Sequence, residues 1–399
     1  MRILMISNLY PPQILGGYEI LCAQVTESLR ARGHEVAVLT SRQNAGAADP
    51  DPLVFRELDL EVPFSRSFRS SRIRRARVGA INARRTAKRI ERFGPDLVFL
   101  WSLRRLTLGP ARAAETRDLP VAWTLNDEYL SGFRRVKATR SPRRLLGAIS
   151  DSSWMRKETV DALKLEHATA ISRCLRSRLV KAGVPVENAK VVYQGPPLDR
   201  FPCRTRPISA VRRCLYVGQL HPDKGVHIAI QAVHRLAETH PGLSLSIVGR
   251  GDEGYTRRLR RLAREGQAEV TFVGAKPHRD VPRIYRRHDV LLFPSIWSEP
   301  FGLTHLEAMA SGLPVISTGH GGQGEVLEDG HSALLVAAAD AAAMARALRS
   351  LVESPARARA LAESGRRLVE ERLNLETYVD QLETWLEGIG QDIQGGRAA

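Results

Sequence analysis

A chain of 399 residues is long enough for two full domains, each able to bury its own core. Hydrophobic residues make up 43% and charged residues 26%, ordinary values that set aside disordered, collagen-like and coiled-coil classes. The net charge of +17 is the unusual bulk property, and it admits anionic partners such as lipid head groups, nucleic acid or an acidic substrate.

No apolar run approaches the roughly 18 residues that span a bilayer, and Arg2-Ile3-Leu4-Met5-Ile6 is interrupted at once by Ser7-Asn8. Neither a signal peptide nor a transmembrane helix is expected. Cys22, Cys174, Cys203 and Cys214 show no CxxC spacing and are too few for a disulfide framework or a zinc cluster, which fits a reducing cytoplasm.

The first elements form a βαβ pattern: a strand at Ile3–Ile6, a helix from about Tyr18 to Arg32, and a strand at Val36–Leu39. Leu21, Val25 and Leu29 make one buried stripe on that helix, and Gly33 supplies a left-handed cap. Gly16-Gly17 stands in the βα loop, where missing side chains let a ligand approach helix N–H groups; a plain turn is the competing reading. It is not GxGxxG, so nicotinamide or flavin binding is unsupported. Asp49-Pro50-Asp51 is the one Asp-x-Asp and reads as a surface turn. From Arg66 to Arg92 basic residues outnumber the single acid Glu91, and Arg134–Arg144 is a second basic run. Each is either an anion-docking face or a solvated arginine-rich surface.

Strands are expected again at Asp96–Leu100, Val121–Leu125, Ala168–Ser172 and Val191–Tyr193, followed by a proline-dense linker from Gly195 to Pro207. The alternation then restarts with Cys214–Gly218, a helix from about Val226 to His240, and Leu243–Val248. Further strands follow at Val270–Val273, Val290–Phe293, Pro314–Ser317 and Ala333–Val336. The domains are therefore placed at 1–200 and 201–374, with a crossover helix at about 375–390 and a disordered tail at 391–399. His221, His227 and His234 are too widely spaced for one metal and read as unrelated.

The most informative stretch runs from Pro294 through Glu299-Pro300-Phe301-Gly302-Leu303 and Glu307 to Gly312. An apolar strand should deliver Glu299 to the C-terminal edge of a parallel sheet, where ligands bind. Pro300 suits a helix start and Gly312 its end. Amides of Phe301, Gly302 and Leu303 would then face a phosphate, with Glu299 and Glu307 accepting hydrogen bonds from hydroxyls. Two solvated surface glutamates would fit poorly with such apolar surroundings.

This stretch resembles the Glu-x7-Glu signature of the retaining glycosyltransferase family four, the glycosyl transferases group 1. Val217-Gly218-Gln219-Leu220 with Lys224-Gly225 resembles the family's diphosphate loop, Gly16-Gly17-Tyr18-Glu19 its N-terminal glycine loop, and Gly319–Glu325 the loop after the signature helix. The resemblance implies two Rossmann-like, doubly wound α/β domains facing across a cleft (the GT-B fold), with the acceptor on the first and a nucleotide-sugar donor on the second. It implies that Lys224 neutralises the donor diphosphate, Glu299 binds the transferred hexosyl group and Glu307 the ribose, with Asp127 as a helper, no metal and no cofactor. Two departures stand out. Gln219 occupies a position where the family usually has arginine, and Asn126 one where it often has histidine.

The chain is thus expected to be a retaining hexosyltransferase acting on a glycan, lipid-linked or small-molecule acceptor. It would be cytoplasmic or peripheral on an anionic inner membrane face, and nucleic acid is not expected as a partner. An epimerase or phosphorylase of the same architecture, and a polyanion-binding protein, are the alternatives.

Overall fold

A computed structural model describes residues 1–42, 49–133 and 159–398, with side chains as far as 391. It divides into two compact units, Met1–Val192 with Val379–Ala399, and Tyr193–Tyr378. The divide expected at residue 200 lies at Val192, because Tyr193 stacks on Phe301 (5.5 Å between rings) and Gly195 packs flush on the Leu373 main chain, both within the second unit.

The first unit runs β1 (Arg2–Ser7), α1 (Gly17–Ala31), β2 (Glu35–Ser41), β3 (Val54–Leu58), α2 (Arg72–Phe93), β4 (Leu97–Ser102), α3 (Gly109–Glu115), β5 (Val121–Leu125), β6 (Ala168–Ala170), α4 (Arg173–Lys181) and β7 (Lys190–Val191). Its parallel sheet has the order β3-β2-β1-β4-β5-β6-β7. The second unit runs β8 (Arg213–Val217), α5 (Val226–Ala237), β9 (Ser244–Val248), α6 (Glu253–Leu262), β10 (Glu269–Gly274), α7 (Val281–Tyr285), β11 (Val290–Phe293), α8 (Thr304–Ala310), β12 (Val315–Ser317), β13 (Leu334–Leu335), α9 (Ala341–Glu353) and α10 (Pro355–Arg372). Its sheet, also parallel, has the order β10-β9-β8-β11-β12-β13.

Covered on both faces by helices, the central strands read as unbroken apolar runs: Ile3, Leu4, Met5 and Ile6 of β1 are fully buried. Edge strand β3 escapes this pattern. Its Arg56 and Glu57 face partners rather than a core: Arg56 pairs with Asp49 at 2.6 Å, and Arg89 pairs with Glu57 and lies 3.5 Å over Phe55. Asp49-Pro50-Asp51 is accordingly a half-buried turn rather than a free surface one, with Asp51 paired to Arg30. Burial raises the Asp51 carboxyl pKa, but Arg30 and the Leu53 amide outweigh it and leave it below the ordinary value.

The last helix, α11 (Leu375–Ala398), continues through the residues expected to form a tail. Its buried Val379, Leu382 and Leu386 belong to the first unit, where Trp385 meets Phe99 edge-on at 6.4 Å. Glu383 accepts from Arg32 at 2.6 Å and contacts His34 at 2.7 Å.

In each sheet the winding reverses beside the first strand of the series, between β1 and β4 and between β8 and β11. Ligand crevices of doubly wound folds open at the C-terminal ends of the strands at such a reversal.

Candidate functional site

At the reversal of the second unit, the loops after β8 and β11 are joined main chain to main chain. The amides of Ile296 and Trp297 both donate to Asp223 O, at 2.7 and 3.2 Å. Gly225 sits at φ +66°, and a Cβ there would lie 1.9 Å from Pro294 O, so no other residue fits. The stitched loops hold Lys224 Nζ against Glu299, 2.6 Å from Oε1 and 2.9 Å from Oε2, and Ser295 Oγ donates to Oε1 at 2.7 Å. The Glu299 side chain is only 4% exposed, so its charge depends on this partner, while Lys224 keeps 26% of its side chain in solvent. The ammonium also lies 5.1 Å over the Trp297 ring.

Sequence reasoning gave the Gly319–Glu325 loop no task, and the structure supplies one. Glu299 N donates to His320 O (3.0 Å), and Gly322 N donates to Glu299 O (2.7 Å). A Cβ at Gly321, φ +97°, would strike Glu299 O at 2.2 Å. The glycine pair therefore clamps the Glu299 backbone from the far side.

Helix α8 begins at Thr304 rather than at Pro300, because Gly302 at φ +86° turns the chain before the helix can start. Phe301 is fully buried against Tyr193, so it contributes packing and a main-chain N–H. Among the described residues, the amides of Phe301, Gly302 and Leu303 meet no protein acceptor. Glu307 is held by two groups the sequence did not single out: His278 Nε2 contacts Oε1 at 3.0 Å, and Tyr285 Oη donates to Oε2 at 2.9 Å. Burial, then Glu307, pushes the Tyr285 phenol far above its ordinary pKa, so it stays a donor. His305 is fully buried between Phe293 and Phe301, neither ring nitrogen has a hydrogen-bond partner among the described residues, and burial pushes its pKa down to about 3. Gly218 and Gln219 open the loop after β8, Gln219 exposed with its carbonyl accepting from Tyr216 Oη at 2.8 Å.

The remaining expected residues belong to the first unit. Gly16 caps α1 in extended conformation, and its N–H, with that of Leu15, donates to Glu19 Oε2 at 2.9 and 3.2 Å. The Gly16 amide is therefore engaged by a side chain of the same loop, while Gly17 opens the helix. Burial pushes the Glu19 carboxyl up against the opposing Gly16 amide. Tyr18 Oη donates to Asn126 O (2.5 Å), Asn126 Nδ2 to Trp101 O (3.0 Å), and Trp101 Nε1 to Tyr18 O (3.1 Å). Asn126 thus fixes the loop where a histidine was the alternative. Asp127 accepts from the Tyr129 amide at 2.9 Å, and burial pushes its carboxyl up despite that bond.

The three histidines go separate ways: His221 accepts from Asp223 N, His227 contacts Tyr255 Oη, and His234 contacts Leu262 O. Among the described residues, His34, Glu383 and Glu387 lie within metal-ligand reach of one another, but His34 and Arg32 already engage Glu383.

The signature described as Glycosyl transferases group 1 matches residues 209–368, and that of Glycosyltransferase Family 4 matches 15–200. A glycogen synthase of Mycobacterium tuberculosis is 30% identical across 94% of this chain and 92% of its own length. The chain belongs to the group 1 glycosyltransferases. As a member of this family it is a sugar-transferring enzyme, which sets the non-enzymatic polyanion reading aside. The phosphatidyl-myo-inositol mannosyltransferase of Mycolicibacterium smegmatis is 27% identical over 88% of this chain and 85% of its own. Sucrose-phosphate synthase from Thermosynechococcus elongatus superposes with a TM-score of 0.72 at 23% identity, over 97% of this chain and 98% of its own. Anabaena HepE in complex with UDP and glucose superposes with a TM-score of 0.69 at 20% identity, over 96% and 99%. These neighbours share the two-domain GT-B fold of this glycosyltransferase.

Proposed function

We propose that this glycosyltransferase takes a nucleotide-sugar donor on its second unit and transfers the hexosyl group with retention, without a metal. The observation that carries this reading is Lys224 clasped by buried Glu299 at the β8/β11 reversal, beside three main-chain amides that have no protein acceptor among the described residues. Loss of a nucleoside diphosphate builds negative charge on the leaving oxygens. A fixed ammonium and preset N–H groups stabilise that charge without reorganising. Two of the three Lys224 protons point at Glu299, which leaves one for a phosphate oxygen.

Glu299 binds sugar hydroxyls and Glu307 the ribose, each oriented beforehand by its protein partners. Both carboxyl oxygens of Glu299 are engaged by Lys224, and one also by Ser295, which leaves the group poorly placed to take a proton from an acceptor. This favours a course in which the leaving phosphate takes the acceptor proton on the same face. Lys224 supplies the charge a metal would bring, and Asp49 and Asp51 are committed to Arg56 and Arg30. Asp127 assists from the first unit.

The acceptor is lipid-linked and met at an anionic membrane. Phe68 and Ile73 are 47% and 74% exposed, among the exposed Arg66, Arg69, Arg72 and Arg77. The face is narrower than the charge count suggested, since Arg75, Arg85 and Arg89 pair with Glu61, Asp59 and Glu57. The Arg134–Arg144 run lies outside the described residues. No helix among the described residues is long and apolar enough to cross a membrane, so attachment would be peripheral.

The test is turnover of UDP-, GDP- and ADP-hexoses in EDTA, with the anomeric configuration of the product read by NMR. Activity lost to EDTA and restored by a divalent cation would overturn metal independence. An inverted product would overturn retention, and indifference to all nucleotide sugars would overturn the donor.

A further inference from the structure

At position 219, where the resembled pattern has a cation for the diphosphate, this chain carries a neutral glutamine. The neighbouring loop, after β9, carries an arginine between two glycines, Gly249-Arg250-Gly251. The two loops form one layer of main chain. Gly218 N donates to Val248 O (3.0 Å), Leu220 N donates to Arg250 O (2.9 Å), and Leu220 and Gly251 form a parallel bridge. Cβ atoms at Gly249 and Gly251 would lie 1.8 Å from Gly218 O and 1.9 Å from Leu220 O. The glycines therefore bring the backbone of Arg250 directly against that of the Gly218–Leu220 segment.

Arg250 is exposed, and among the described residues no carboxylate pairs with it. The acids that follow it are engaged elsewhere: Asp252 caps α6 through the Tyr255 amide at 3.0 Å, and Glu253 pairs with Arg257 at 3.7 Å. A guanidinium with no carboxylate partner among the described residues suits a phosphate, which it can bind through two parallel hydrogen bonds, and of the Gly218–Leu220 amides that of Gln219 is left without a protein acceptor among them.

We propose that Arg250 supplies the cation that position 219 lacks, binding the diphosphate of the donor together with Lys224. This rests on the donor reading above and names a ligand that the signature residues do not include.

The test measures UDP and GDP binding by calorimetry, with uridine and guanosine as controls that lack the diphosphate. Arg250→Ala should weaken nucleoside diphosphate binding by about tenfold to a hundredfold and leave nucleoside binding unchanged, as expected for loss of a charge-assisted contact. Arg250→Lys should fall between, and Gln219→Arg added to Arg250→Ala should restore most of the affinity. Melting of each variant, with Arg250→Gln as a second neutral change, separates lost binding from lost folding. Diphosphate affinity unchanged in both neutral variants, while the paired change Lys224→Met/Glu299→Gln abolishes it, would overturn the role of Arg250 and leave the donor site standing. Affinity unchanged in the Lys224/Glu299 variant as well would overturn the donor site itself.

Discussion

The two units repeat one winding plan, yet the loops at their equivalent reversals are furnished differently. After β8 and β11 the polar groups are charged and locked: Lys224 on Glu299, and Glu307 between His278 and Tyr285. After β1, β4 and β5 the groups form the neutral closed ring of Tyr18, Asn126 and Trp101, and the carboxylates there, Glu19 and Asp127, accept from main-chain amides rather than from a cation. The same scaffold thus holds a rigid electrostatic site in one unit and a shaping loop in the other. Preset charges of this kind stabilise developing charge without reorganising, which a neutral ring of main-chain and amide groups does less strongly.

Lys224→Ala should break the second region most, lowering kcat/KM by about a thousandfold (roughly 4 kcal/mol) and lowering Tm as well, because it strands a buried carboxylate. Glu299→Gln should slow turnover by roughly a hundredfold with little change in melting, since the amide keeps the size without the unpaired charge. Wild-type steady-state rates in both would remove the clasp from the mechanism.

His305→Leu addresses the second unit through stability. The folded imidazole titrates near 3 and the unfolded one near 6.5, so between those values the unfolded state binds the extra proton, and stability falls as pH falls, by about 1.4 kcal/mol per pH unit at most. Urea unfolding from pH 7 to pH 4 should show a shallower loss for His305→Leu than for wild type. Parallel curves would mean that His305 finds a proton acceptor on acidification.

Asp127→Asn is the counterpart in the first unit and keeps an acceptor for the Tyr129 amide. Expected is a fall of about tenfold in kcat with donor KM unchanged, a smaller effect than at Lys224 because the assisting charge is less tightly placed. An unaltered kcat would leave Asp127 as a loop-forming residue. The smallest effect belongs to the docking face: Phe68→Ser/Ile73→Ser should reduce sedimentation with anionic vesicles severalfold and leave turnover of a water-soluble acceptor unchanged. Equal sedimentation with neutral and anionic vesicles would refute the membrane role.

The amino-acid sequence by itself determined the doubly wound class and the strands of both sheets except β3, while the roles of Lys224 and Glu299 came only from the resemblance and their contact at 2.6 Å only from the structure. Buried parallel strands leave continuous apolar runs, and glycines recur wherever backbones must touch, so both are written locally. β3 escaped because an edge strand held by Arg56 and Arg89 has no apolar run to show. The late start of α8 at Thr304 was hidden because Gly302, rather than Pro300, governs the turn. Only the tertiary structure decided that His278 and Tyr285 hold Glu307, that Gly321-Gly322 clamps Glu299, and that Arg250 lies against the Gly218–Leu220 loop. Each of these joins segments far apart in the chain, where contact follows from strand order and not from spacing. Which arginines of α2 stay free was likewise settled by the acids that folding brought to Arg75, Arg85 and Arg89, since a charge run carries no record of its partners.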